Sequence, residues 1–234
     1  MEENPWHGLP DKQPFVLPED KDMVEAFNVK AHENHRLRLD FIPEPFVGRL
    51  EDARLVLLGN NPGFKNAEAA TYRLKPAFAN RMRDNLLHRA SEEFPFIYFD
   101  PDIIPPTNKW WERKLRHLFD EFGKGVIAKS ILAKFILSVE FFPYVSHRYR
   151  HGTLRLPSQE YSFALVRKAM NGGAVIVAYH GERRWLKAIP ELDKYHRLVR
   201  LKEHQQAPIS PNNCRDNGWS HIEDVVRTIK AKLR

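Results

Sequence analysis

Four short apolar runs, each stopped by turn-forming or polar residues, limit what this chain can fold into. Leu55 to Leu58 ends at Gly59-Asn60-Asn61-Pro62-Gly63, Phe135 to Phe142 at Pro143, Ala174 to Tyr179 at His180-Gly181, and Arg197 to Leu201 in a polar loop. Runs this short and this continuously apolar read as strands covered on both faces. Helical periods lie between them. Asn108 to Phe122 places Trp111, Leu115, Leu118 and Phe122 on one face, and Ser158, a good N-cap, opens a helix that Gly172 closes. A last helix covers about Ser220 to Lys232, and an early one lies near Asp22 to Arg36. Strands alternating with helices predict an α/β fold, a three-layer sandwich with a central, mainly parallel four-stranded sheet flanked by helices.

Residues 1 to 50 are rich in proline and charge and read as an N-terminal arm packed on the main domain, which occupies 51 to 234. The segment Asn80 to Pro106, with Phe94-Pro95-Phe96 and Asp100-Pro101-Asp102, reads as an irregular insertion. The arm carries 6 basic and 10 acidic side chains, the remainder 31 and 20, so a net charge of +7 resolves into an arm of −4 and a body of +11. A basic body suits a polyanionic partner such as DNA, and equally a solvated basic face. The single Cys214 excludes an intramolecular disulfide and any four-cysteine zinc or iron–sulfur centre. With no apolar stretch of about 18 residues and no basic leader, the expectation is a soluble, cytoplasmic monomer with no membrane partner.

Open parallel sheets take their ligands beyond the carboxyl ends of the strands. Those ends carry Asn60, Asn61 and Phe64; Glu140; His180; and His204, Gln205 and Gln206 before Ser210-Pro211-Asn212-Asn213, and the four loops are expected to face one cleft. A carboxylate ending an apolar strand is partly desolvated, which raises its pKa and suits it to general acid or base work; a salt bridge from Glu140 to Arg148 or Arg150 is the alternative. Tyr144 to Arg150 interleaves aromatic and basic groups, as a nucleic-acid strand requires. Glu182-Arg183-Arg184-Trp185 opens a short helix whose basic groups suit phosphate.

The loop Gly59-Asn60-Asn61-Pro62-Gly63 resembles the Gly-x-Asn-Pro-Gly motif of the mismatch-specific and single-strand-selective branches of the uracil-DNA glycosylase superfamily. Asn108-Lys109-Trp110-Trp111 resembles that family's Asn-Arg-Phe-Trp helix, Glu140-Phe141-Phe142-Pro143 stands in the place of its base-reading strand end, and Ser210-Pro211-Asn212-Asn213 resembles its closing Ser-Pro motif. The resemblance spans most of Arg54 to Asn213. It implies a DNA glycosylase that removes a damaged or non-standard base by N-glycosidic bond cleavage after base flipping, in DNA repair, with no metal and no organic cofactor. In that reading Asn61 holds the attacking water, although a turn-capping role is its alternative. Asn60 lines the base pocket, Phe64 or Phe78 stacks on the flipped base, and Arg148, Arg183, Ser210, Asn213 and Arg215 contact DNA phosphates.

The sequence departs from that pattern at two positions. Glu140 replaces the family's base-reading Asn, and an ionised carboxylate cannot donate a hydrogen bond, so a base presenting donors pairs with it better than uracil does. Pro208 stands where the family has its closing His, so leaving-group stabilisation falls to His180 or His204. These departures keep two further functions open: a catalytically inactive nucleic-acid-binding module of the same fold, and an enzyme acting on a free nucleotide or nucleoside.

Overall fold

The computed structural model describes residues 3–64, 67–123, 125–204 and 207–233, and the side chains of 67–69 are outside that description. Its centre is a sheet of five strands, β1 (Phe46–Val47), β2 (Leu55–Gly59), β3 (Ile136–Glu140), β4 (Val175–Ala178) and β5 (Leu198–Arg200), in the order β1-β3-β2-β4-β5. The pairs β3-β2, β2-β4 and β4-β5 are parallel, and β1 runs antiparallel on the β3 edge. The four expected strands are therefore present, and the expected count is short by one. The fifth, Phe46–Val47, lies in the segment read as an arm, and two apolar residues between Pro45 and Gly48 are too few to show a strand period.

β2, β3 and β4 are buried along their whole lengths, which is why they read as unbroken apolar runs. From β2 the chain passes to β3 on one side, then to β4 and β5 on the other. The strand order therefore reverses about β2, and the crevice at the β2/β4 junction is where such a sheet binds ligands.

The helices, in chain order, are α1 (Lys21–Lys30), α2 (Ala67–Arg73), α3 (Pro76–Leu86), α4 (Trp110–Lys114), α5 (Arg116–Phe122), α6 (Gly125–Ala133), α7 (Gln159–Asn171), α8 (Glu182–Ala188) and α9 (Trp219–Lys232). The helix expected over 108 to 122 is two helices, broken where Leu115 leaves helical geometry (φ −109°, ψ 17°). Its apolar stripe nevertheless stays on one side, with Trp111, Leu115 and Leu118 buried. The segment read as an irregular insertion begins inside α3, and its Phe94, Phe96, Ile97 and Phe99 belong to the core. Phe96 packs against Phe99 and Trp111 at ring separations of 4.9 and 5.1 Å, so proline-broken local order here conceals a core segment.

Trp6, Leu9, Val16, Leu17 and Val24 of the N-terminal segment join the same core. A buried polar knot fastens them. Asp20 accepts from the Tyr144 hydroxyl (2.7 Å), the Ser158 hydroxyl (2.6 Å) and the Ser158 amide (3.2 Å), and the Tyr144 oxygen accepts from the Leu17 amide (3.1 Å). Ser158 therefore does not cap α7 with its own side chain, as expected; its hydroxyl is spent on Asp20. No helix among the described residues is long and apolar enough to cross a membrane.

Candidate functional site

A cavity of about 640 Å³ opens beyond the carboxyl ends of β2, β3 and β4, and Asn60, Asn61, Phe64, Glu140 and His180 all line it. These are five of the residues picked out from the strand ends. They meet because the register sets Gly59 opposite Glu140, while Leu58 pairs with Ala178 two residues before His180.

Asn61 is held in one orientation. Its Nδ2 donates to the Ser146 hydroxyl oxygen (2.8 Å) and the Pro62 carbonyl (3.1 Å). Ser146 donates its own proton to the Arg148 carbonyl (3.3 Å), so towards Asn61 it must accept. The amide cannot turn over without losing both bonds, and Oδ1 is left as the acceptor. The loop-bonding role and the water-holding role thus fall to opposite ends of one amide.

Asn60 is held the other way round. Its Oδ1 accepts from the Arg184 guanidinium (3.3 Å), which lies over the Tyr149 ring at 4.6 Å. Gly181 makes this possible. It has φ +70°, and a Cβ there would stand 2.1 Å from Asn60 Oδ1. Asn60 therefore offers its Nδ2 donor where Asn61 offers an acceptor.

Glu140 is 8% exposed, and neither Arg148 nor Arg150 reaches it. The Tyr179 hydroxyl donates to its Oε1 (2.9 Å), and Oε2 has no hydrogen-bond partner among the described residues. Burial pushes the Glu140 carboxyl up to about 8; the negative charge of Glu44 adds to this, and the Tyr179 bond and the Arg73 charge oppose it. Burial likewise pushes the Tyr179 hydroxyl well above its ordinary value, so it remains a donor.

Beside this pair lies a second buried carboxylate that does have a counter-ion. Arg73 donates to Glu44 through Nε (2.6 Å) and Nη2 (3.4 Å), and through Nη2 also to the Tyr98 hydroxyl (3.2 Å), while Tyr98 donates to Glu44. Although burial works against its charge, Arg73 is held firmly protonated by Glu44.

The rest of the lining is aromatic and basic. Phe64 is half-buried, edge-on to Phe41 (5.7 Å) and His147 (5.3 Å), with the Arg38 guanidinium 5.7 Å from its ring. Trp110 and Tyr179 lie 5.9 Å apart, and His180 packs on Tyr179 at 4.8 Å. Lys109, just before α4, and Arg113 within it are exposed and line the cavity. Among the described residues, no group of three or more His, Cys, Asp or Glu side chains could hold a metal ion.

Several expected site residues lie elsewhere. Phe78 is buried in α3 against Tyr72 (5.2 Å) and Tyr98 (6.5 Å), a core residue beneath the site rather than a stacking surface. Ser210 and Asn213 line a separate depression of about 430 Å³ with Arg116, His117 and Lys202, so the fourth loop does not close the same cleft. Asn213 is used up in its own loop, donating to the carbonyls of Glu203 (3.0 Å) and Pro208 (2.9 Å) and accepting from the Glu203 amide (2.9 Å). Gln205 and Gln206 lie outside the described residues. Arg148, Arg183 and Arg215 are exposed and do not line the cavity. On α8 it is Arg184, not Arg183, that turns inward, because Trp185 is anchored by a bond from its Nε1 to the Gly59 carbonyl (2.9 Å) and so sets the helix rotation.

Sequence reasoning overlooked Glu44, Arg73, Tyr98 and Tyr179, whereas Tyr149, which lines the cavity, lies in the aromatic and basic loop picked out for a nucleic-acid strand. A glutamate set between Pro43 and Pro45 in an apolar stretch was the available signal for the first, and nothing local relates it to Arg73, 29 residues on. No family model matches the chain, and no curated protein or solved structure matches it.

Proposed function

We propose that this protein is a DNA glycosylase-like hydrolase that removes a damaged or non-standard base from DNA by cleaving its N-glycosidic bond. The observation that carries the reading is the convergence of Asn61, Phe64 and Glu140, from the ends of two neighbouring parallel strands, on one cavity large enough for a nucleobase and its sugar. Asn61 Oδ1 accepts a hydrogen bond from water and aims its lone pair at C1′ of the extruded nucleotide. A neutral amide orients that water without deprotonating it, which suffices for a bond that breaks ahead of attack. Phe64, steadied by Phe41 and His147, offers its face to the flipped base. Glu140 and Asn60 meet the base edge, His180 stands beside the leaving group, and Lys109 and Arg113 hold flanking phosphates. Arg148, Arg183, Ser210, Asn213 and Arg215 fall outside the cavity and serve only on DNA that runs on across the surface.

The test is a panel of oligonucleotides carrying uracil, hypoxanthine, xanthine and alkylated bases. Wild type releases at least one of them, while Asn61→Ala binds the same strand and releases none. A wild-type protein that releases nothing from the panel removes the activity, and salt-dependent binding without release would make it an inactive binding module.

A further inference from the structure

The cavity holds two buried carboxyl groups and, for the pair, one buried cation. Arg73 is committed to Glu44, through Nε at 2.6 Å, and Tyr98 also donates to Glu44. Among the described residues Glu140 receives only the Tyr179 hydroxyl on Oε1, and its buried Oε2 has no partner. The groups around Glu140 do not supply a second positive charge to it. Lys114 lies behind Tyr179, 5.5 Å from its ring, and its ammonium donates to the carbonyls of His204 (3.0 Å) and Ala207 (2.8 Å); His180 packs on the Tyr179 ring. A buried carboxyl whose neighbour has taken the counter-ion is favoured in its neutral form, and so keeps a proton that it can give away. A buried oxygen left without a partner calls for an explanation, and a ligand atom in the cavity that Glu140 lines supplies one.

Resting on the glycosylase reading, we propose that Glu140 is the general acid that protonates the departing base, and that the substrates are purines with a free ring-nitrogen lone pair, such as deaminated purines. As the bond from C1′ to the base nitrogen breaks, its electron pair passes into the ring, and the ring nitrogen takes the proton of Glu140. The water held by Asn61 adds its oxygen to C1′. The proton it sheds returns to the Glu140 carboxylate, so that one water is consumed and the free base and the hydroxylated sugar are formed. That the carboxyl keeps its proton to about pH 8 agrees with this role.

Single-turnover base release from oligonucleotides carrying hypoxanthine or 7-methylguanine tests it, for wild type and Glu140→Gln, from about pH 6 to about pH 9. The 7-methylated base is already cationic and needs no acid. Wild type is expected to release hypoxanthine at a rate that falls about tenfold per pH unit above about pH 8. Glu140→Gln should slow hypoxanthine release by about 100-fold or more, and slow 7-methylguanine release by at least about tenfold less than that. Equal slowing of both bases, near-wild-type hypoxanthine release by the variant, or wild-type release of uracil alone at a rate flat through pH 8 overturns the acid role and leaves the glycosylase reading standing. Failure of the wild type to release any base overturns both. Should Glu140→Gln not fold, the wild-type pH profile decides alone. Tyr179→Phe, which removes the hydroxyl that donates to the carboxyl, should move the falling limb to higher pH.

Discussion

The carboxyl group of Glu140 occupies the space that a side chain at residue 59 would need: a Cβ on Gly59 would lie 2.1 Å from Oε2 and 2.5 Å from both Cδ and Oε1. The two residues are paired in register across β2 and β3. Gly59, met in the sequence as the opening of a turn, is a glycine for the sake of the acid beside it. Gly59→Ala should therefore destabilise the fold by about 1–3 kcal/mol in urea unfolding. Glu140→Ala in the same chain should recover most of that loss. Additive effects of the two changes would show that the contact does not govern the position.

Stability should fall with rising pH on account of Glu140. The folded protein keeps this proton to about 8, whereas the unfolded chain loses it near the ordinary value of 4.5. Between those values the folded state carries the extra proton, so raising the pH favours unfolding, by up to about 1.4 kcal/mol per unit, and the effect levels off above the upper value. Glu140→Gln should flatten this slope in urea titrations across the window. An unchanged slope would place the titration elsewhere.

Acid should act through His151, which is buried against Phe27, Phe142 and Tyr149 with Nε2 3.1 Å from the His35 carbonyl. Burial pulls the imidazole down from 6.5 to about 4, so its contribution is present above 6.5 and is lost as the pH falls through about 4. His151→Phe keeps the ring contacts and removes the titration. It should cost about 1 kcal/mol at neutral pH for the lost hydrogen bond yet reduce the loss of stability on acidification, followed by circular dichroism.

The ion pair of Glu44 and Arg73 is buried on both sides, at 1% and 4% exposure. Arg73→Met leaves Glu44 without its cation and should cost about 3–5 kcal/mol of unfolding free energy. Adding Glu44→Gln should restore much of it, because no buried charge then remains. Failure of the second change to help would mean that the packing of Arg73, rather than its charge, carries the cost.

Asn61 should depend on Ser146 for its orientation. Ser146→Ala leaves the amide one partner, the Pro62 carbonyl, and lets Oδ1 and Nδ2 exchange. Base release should then drop by about tenfold, with folding changed by no more than about 1 kcal/mol. Equal rates for the variant and wild type would show that the turn holds the amide alone.

The chain's local order alone was enough to reveal β2 to β5, most of the helices and the cluster of Asn60, Asn61, Phe64, Glu140 and His180 at one end of the sheet. Apolar runs, breakers and helical periods express steric and solvation preferences that operate over a few residues, and the parallel-sheet rule carries those preferences to a common edge. Tertiary packing decided the rest. It recruited Phe46–Val47 to the sheet, sent Phe78 into the core, turned Arg184 inward in place of Arg183, and drew Ser210 and Asn213 into a loop of their own. It also decided which carboxyl would have a counter-ion. Glu44 and Glu140 are alike as residues, and only the fold brings Arg73 and Tyr98 to one and leaves the other with Tyr179, because the cost of burying a charge depends on partners that the chain supplies from far away in sequence.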